Sequence, residues 1–372
     1  MKQTGLDRPK NCCSSDACAF TLVELLVSIS ILAVIVFLLV DIMSGTQRSW
    51  TMARERTTEY REARTAFESL SHRLSLATLN AYWGYKLSVR GVPTNFERES
   101  ELHFVSGPAL QLLSGIPSTA GHAVFFQAPL DITENRVPTG SLPDINRAHE
   151  LINGWGYYVT YGSDLSARPT FLVTDTVRNP ERKRFRLMEF RMPTERLNLY
   201  RPTSTSSSQP WIEAQTSMSQ LYSWFGSTAA TYSQPLAENV LALLIEPVVP
   251  AYLASTGANN DIAPDFQYDT RRHQWTTDSR SKISRHQLPP ELRLTLICLE
   301  ESSWKALSTQ AQDAAGTELL GLLRETWFKS ATNFDTDMEA LKAKLLALKL
   351  RYRIFSTAIP VQEARWITEN NS

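Results

Sequence analysis

From Phe20 to Val40 the chain reads FTLVELLVSISILAVIVFLLV, a run in which Glu24 carries the sole charge. A helix of about twenty apolar residues spans a bilayer, because inside lipid every backbone polar group has to be satisfied within the segment. The run therefore predicts a transmembrane helix. A secretory signal fits less well: its apolar region is typically about 7 to 15 residues and ends at a small-residue cleavage site, whereas here Asp41 follows Val40 directly. Cys12, Cys13 and Cys18 precede the run, where a lipid-bearing cysteine would follow it.

A carboxylate in such a run costs roughly a few kcal/mol unless it is neutralised, paired or held at the interface. Two accounts of Glu24 follow. It snorkels at the membrane edge into the headgroups. Alternatively the chain is cut before Phe20, which makes Glu24 the fifth residue of the product, in a first helical turn where negative charge suits the dipole. The new α-ammonium of Phe20, on the same subunit or a neighbour, could then pair with the carboxylate and hold helices at a fixed stagger.

Ala19-Phe20-Thr21-Leu22-Val23-Glu24, followed by an apolar helix, resembles the cleavage and methylation motif of type IV prepilins and type II secretion pseudopilins. The resemblance implies that a prepilin peptidase cuts between Ala19 and Phe20, methylates the new amine, and leaves Glu24 to register other pilin or pseudopilin subunits during assembly. Where the family usually has glycine before the cut, this chain has Ala19. Lys2, Arg8 and Lys10 before the run are matched by Arg48, Arg54 and Arg56 after it, so positive charge gives no orientation. The resemblance implies one: a single-pass protein of the cytoplasmic (inner) membrane with its C-terminal head outside the cytoplasm.

Beyond Asp41, Tyr60, Ala63, Phe67, Leu70, Leu74 and Ala77 are spaced as one helical face, among charges typical of a solvated exterior. The expected organisation is a leader over 1–19, the membrane helix over 20–40, its amphipathic continuation over 41–82, and a head over 83–372. The polar Thr203–Gln209 run marks a possible subdivision near 203–210. Strands are expected at 102–105, 123–127, 157–161, 185–191, 240–245, 292–299 and 352–357, with a helix over 336–350 opened by a Thr336/Glu339 capping box. The fold class is α+β: a long N-terminal helix, then a large, mostly antiparallel β head with added helices. The chain also resembles J-type minor pseudopilins, in a strand at Glu238-Asn239-Val240, then Trp275 and Leu288-Pro289-Pro290 leading into a further strand. Leu151–Tyr158 and Arg184–Phe190 resemble the Verru_Chthon cassette protein C family of prepilin-like proteins.

Thirty-eight basic and thirty-eight acidic residues cancel, so no charge field points to nucleic acid. Cys298 is the single cysteine after the apolar run, and alternation sets it beside Leu292, Leu294 and Leu296 as a buried thiol. His149-Glu150 lacks the second histidine of a zinc-protease helix, and no nucleophile elbow, phosphate loop or dinucleotide fingerprint occurs. His72, His103, His122, His273 and His286 read as surface or satisfied core residues, and no cofactor or catalytic residue is assigned. Asn259, Asn260, Asp261, Asp265 and Asp269 supply hard oxygen ligands that suit calcium, without EF-hand spacing. A solvated loop explains them as well. Trp155, Tyr157, Tyr158, Trp211, Trp224 and Trp275 are expected in the core. The expected function is a non-enzymatic minor pilin or pseudopilin. The competing account is an extracytoplasmic ligand-binding or enzymatic domain tethered by an uncleaved anchor.

Overall fold

The computed structural model describes residues 21–88, 90–133, 151–165, 168–173, 179–197, 218–250, 253, 262–274 and 279–367. The chain divides into two compact units, residues 1–55 and 56–372. One helix, α1 (Leu22–Ser75), belongs in part to each. It stops at Ser75, short of residue 82, the expected end of the amphipathic continuation. The amides of Leu76 and Ala77 bond three residues back, to Arg73 and Leu74, and the Thr78 amide turns to the Gln127 carbonyl. His72 and Arg73 in the last turn suit the negative end of the dipole.

Within the second unit, Ala63, Phe67, Leu70, Leu74 and Ala77 are buried, as the stripe predicts, and Ala66 joins them. The side chain of Tyr60 lies outside the described residues. Arg64 and Glu68 form an exposed i,i+4 pair at 2.8 Å on the opposite face.

Eleven strands are present among the described residues, and every pairing is antiparallel. β1 (Tyr82–Leu87) and β2 (Pro93–Glu99) form a two-stranded ribbon. β3 (Val105–Pro108), β4 (Thr119–Pro129), β5 (Ile152–Ser163), β6 (Lys183–Met192), β7 (Ser233–Glu238) and β9 (Tyr268–Asp269) form a six-stranded sheet in the order β7-β6-β5-β4-β3-β9. β8 (Val240–Val248), β10 (Glu291–Leu299) and β11 (Tyr352–Pro360) form a three-stranded sheet centred on β10. The fold is α+β.

Period-two alternation sorts the six-stranded sheet into two buried faces. Val124, Phe126, Trp155, Tyr157, Val159, Phe185 and Leu187 join one core with α1, the three-stranded sheet and the C-terminal helices. Phe125, Tyr158, Phe190 and Met192 join a second, capped by Trp224 and Phe225. The expected burial of Trp155, Tyr157, Tyr158 and Trp224 is what the structure shows; Trp211 and Trp275 lie outside the described residues. Cys298 is buried, and so are Ile297 and Leu299 on the other face of β10. Burial pushes its thiol up to about 12.

Three expectations need correction. The strand expected over 102–105 forms at Val105–Pro108, because the His103 and Phe104 amides bond the side chains of Gln127 and Thr270 instead of a ladder. The helix expected from 336 begins at Phe334, so Thr336 lies inside it and caps nothing; its N-cap residue, Asn333, makes no side-chain cap bond. Glu238-Asn239-Val240 is not one strand. Asn239 adopts φ +58° and is the point where the chain leaves β7 in one sheet for β8 in the other. The run near 203–210 lies outside the described residues.

β4 passes close to β8 at Gly121. Its φ is +65°, it falls where the β4–β5 register shifts, and a Cβ there would sit 2.8 Å from the Leu243 carbonyl oxygen of β8. Gly121→Ala should therefore destabilise the head by about 2 to 4 kcal/mol, from left-handed backbone strain plus a backbone clash. Urea unfolding of the two proteins measures it.

Candidate functional site

The first turn of α1 is organised by two residues. Thr21 sits at the N-cap: its Oγ1 accepts from the Glu24 amide at 3.3 Å, and the Glu24 carboxylate accepts from the Thr21 amide at 3.2 Å and the Thr21 hydroxyl at 3.0 Å. This is a reciprocal capping box. Its spacing, Thr-x-x-Glu directly before an apolar run, was present in the sequence, where Glu24 draws attention as a lone charge and not as a cap. The carboxylate closes the helix start while remaining exposed, so it is accessible to a cation.

Downstream, the hydroxyls of Ser28 and Ser30 donate to the carbonyls of Glu24 at 2.7 Å and Val27 at 2.8 Å. Polar atoms in the run are thereby satisfied within the helix, as lipid requires. Leu22–Thr51 is long and apolar enough to cross a membrane, and none of that apolar window is buried by the protein itself. Ala19 and Phe20, the expected cleavage and methylation positions, lie outside the described residues, as do Cys12, Cys13 and Cys18.

The acidic loop residues are not gathered into one ligand set. Asp261 lies outside the described residues, and Asp265 accepts from the Gln267 amide at 3.3 Å. Asp269 is 4% exposed and accepts from His103 Nε2 at 2.8 Å, the Tyr222 hydroxyl at 2.7 Å and the Arg271 amide at 2.8 Å. Burial alone would raise the Asp269 carboxyl, but His103 and these donors hold it below the usual carboxylate range. Burial and the Asp269 charge raise the Tyr222 hydroxyl. Among the described residues no group of three or more His, Cys, Asp or Glu could hold a metal ion.

Trp224 Nε1 donates to His103 Nδ1 at 3.3 Å, so both ring nitrogens of His103 are engaged. The network forms one wall of a cleft of about 710 Å³, whose lining includes Ser106, Gln111, Tyr222, Gln267 and Arg272. Sequence reasoning did not find this arrangement, since His103 and Asp269 are brought together across 166 residues.

A model of the prokaryotic N-terminal methylation motif matches residues 15–40. Comparison with curated proteins gives no match, and comparison with solved structures gives none. The matched segment contains Ala19, Phe20, Thr21 and Glu24 and runs into the apolar part of α1; the chain thus has a type IV pilin-like N-terminus on a helix able to span a membrane.

Proposed function

We propose that the protein is a non-enzymatic, prepilin-like minor subunit. A prepilin peptidase cuts between Ala19 and Phe20 and methylates the new amine. The helix then holds the chain in the inner membrane with the head outside the cytoplasm, and packs with related pilin or pseudopilin subunits into a pilus-like or type II secretion-like filament. The observation that carries this reading is the coincidence of the methylation motif at 15–40 with an exposed apolar helix. J-type minor pseudopilins and the Verru_Chthon cassette proteins are the branches its head segments resemble. A head of this size favours a subunit used sparingly, because bulky heads are hard to repeat densely along a fibre.

In this role Glu24 has two tasks, capping its own helix and accepting the α-ammonium of a Phe20. Two substitutions separate them. Glu24→Gln retains a capping-box side chain and removes the charge, whereas Glu24→Ala removes both. The expected result is that both variants fold their heads normally and neither enters filaments. Incorporation of Glu24→Gln at the native level would overturn charge registration. Mass spectrometry of the N-terminus, from protein purified out of its native membrane, should find methylated Phe20. An intact Met1 would favour a tethered domain, for which the 710 Å³ cleft is the candidate ligand site.

A further inference from the structure

One corner of the head concentrates positive charge around a cavity. On the β1–β2 ribbon, Trp83 and Arg98 are cross-strand partners, and the guanidinium lies 5.6 Å from the indole centroid. Arg98 Nη1 donates to Gln287 Oε1 and to the Arg285 carbonyl. No carboxylate forms a salt bridge with it among the described residues. Burial, with the neighbouring Arg285 charge, lowers Arg98 below its ordinary value.

His286 lies behind it, 5% exposed, with φ +47° and an Nδ1 that is buried and lacks a hydrogen-bond partner. The His273 ring is 4.8 Å away, and its Nδ1 is in the same condition. After burial, the groups that lower His286 are its neighbour His273 and three guanidiniums, Arg271, Arg285 and Arg98. Three carboxylates nearby are engaged with other groups, Glu97 with Arg285 and Lys86 at 2.7 and 2.9 Å, Glu101 with the Asn80 side chain, and Asp269 with His103 and Tyr222.

Arg98 and His286 line a cavity of about 220 Å³ with Trp83 on its wall and Arg365 and Glu363, both exposed, beside it. A preoriented guanidinium without a counter-ion on the wall of a cavity of this size is the element of oxyanion recognition. We propose that this cavity binds a single oxyanion, a phosphate or a carboxylate, with Arg98 and Arg365 supplying charge and His286 forming part of the wall. Glu363 opposes Arg365 at the rim. The positive charge that selects the ligand is therefore the inner one, on Arg98, which suits one small anionic group over an extended acidic surface.

The test uses the full chain in detergent, with thermal unfolding followed against inorganic phosphate while chloride keeps ionic strength constant. The wild type should show a saturable rise in Tm. Arg365→Ala should fold normally and need about tenfold more phosphate for the same rise, and Arg98→Gln should show none. A non-saturating rise, or one of equal midpoint in Arg365→Ala, overturns the proposal even if Arg98→Gln fails to fold. A short acidic peptide with a free C-terminus separates the sources. Saturation at lower concentration than phosphate identifies a polypeptide carboxylate as the ligand, and a weaker effect than phosphate identifies a free oxyanion.

Discussion

Glu189→Ala should destabilise the head by about 3 to 5 kcal/mol, the range for removing one partner of a buried ion pair. The Glu189 carboxylate is 3% exposed and serves four groups. It pairs with Arg73 from the last turn of α1 and with Arg191 at 3.3 Å, and it accepts from the Tyr157 hydroxyl at 2.9 Å and Trp155 Nε1 at 3.3 Å. Arg73 also stacks 4.6 Å over the Trp155 ring. Deleting the carboxylate leaves the buried Tyr157 hydroxyl short of its acceptor, Trp155 Nε1 with the Tyr157 oxygen alone at 2.9 Å, and two guanidiniums short of a counter-charge. The effect should be local as well as global, since this cluster ties the C-terminal part of α1 to β5 and β6. Hydrogen exchange at residues 63–75 should quicken more than in β10, which lies in the other sheet. Glu189→Gln, which keeps an acceptor for Tyr157 and Trp155, should lose markedly less. Equal losses for Ala and Gln would mean that charge alone carries the interaction.

Local signals were legible in the sequence, and long-range partnerships were not. The strands rich in β-branched and aromatic residues, such as those containing Phe125-Phe126, Tyr157-Tyr158-Val159 and Leu294-Thr295-Leu296-Ile297, announced themselves, although each extends beyond the span its composition suggests. β7 was hidden by Pro235 and its polar residues, which only an edge strand tolerates. The β1–β2 ribbon was hidden too, because it buries little: Trp83, Tyr85 and Phe96 are exposed. Lys349 closes the Phe334–Ala347 helix at φ +57° where a glycine would have signalled the stop. At the N-terminus the motif and Glu24 were visible because the signal is contiguous. The Arg73–Glu189 and His103–Asp269 partnerships join residues 116 and 166 apart, and no periodicity in one chain reports such pairings.

The head should lose stability steeply between about pH 6.5 and pH 4, before most carboxylates titrate. Three histidines are held neutral in the fold. His122 pins β4 to β8, its Nδ1 accepting from the Ile245 amide at 3.0 Å and its Nε2–H donating to the Phe328 carbonyl at 2.9 Å. Burial pushes its pKa down to about 4 against that bonding. Burial and surrounding cations lower His273 to about 4 and His286 to about 2. A base whose folded pKa lies below its unfolded value of about 6.5 binds its proton first in the unfolded chain, so acid favours unfolding. Nothing is lost above pH 6.5; below it each histidine withdraws up to about 1.4 kcal/mol per pH unit until its folded pKa is reached, roughly 3 kcal/mol apiece by pH 4. Even one such loss is a large fraction of the stability of an ordinary domain, about 5 to 15 kcal/mol. Asp269 and Glu97, held below the usual carboxylate range, work in the same direction, but only as the pH falls through their own lower values. Urea midpoints at pH 7, 6, 5 and 4 measure the slope. His122→Gln separates the cause, since it should be less stable than the wild type at pH 7, having lost its paired bonds, yet decline less steeply with acid. A slope unchanged by that substitution would remove His122 from the account and leave the acid sensitivity to His273 and His286.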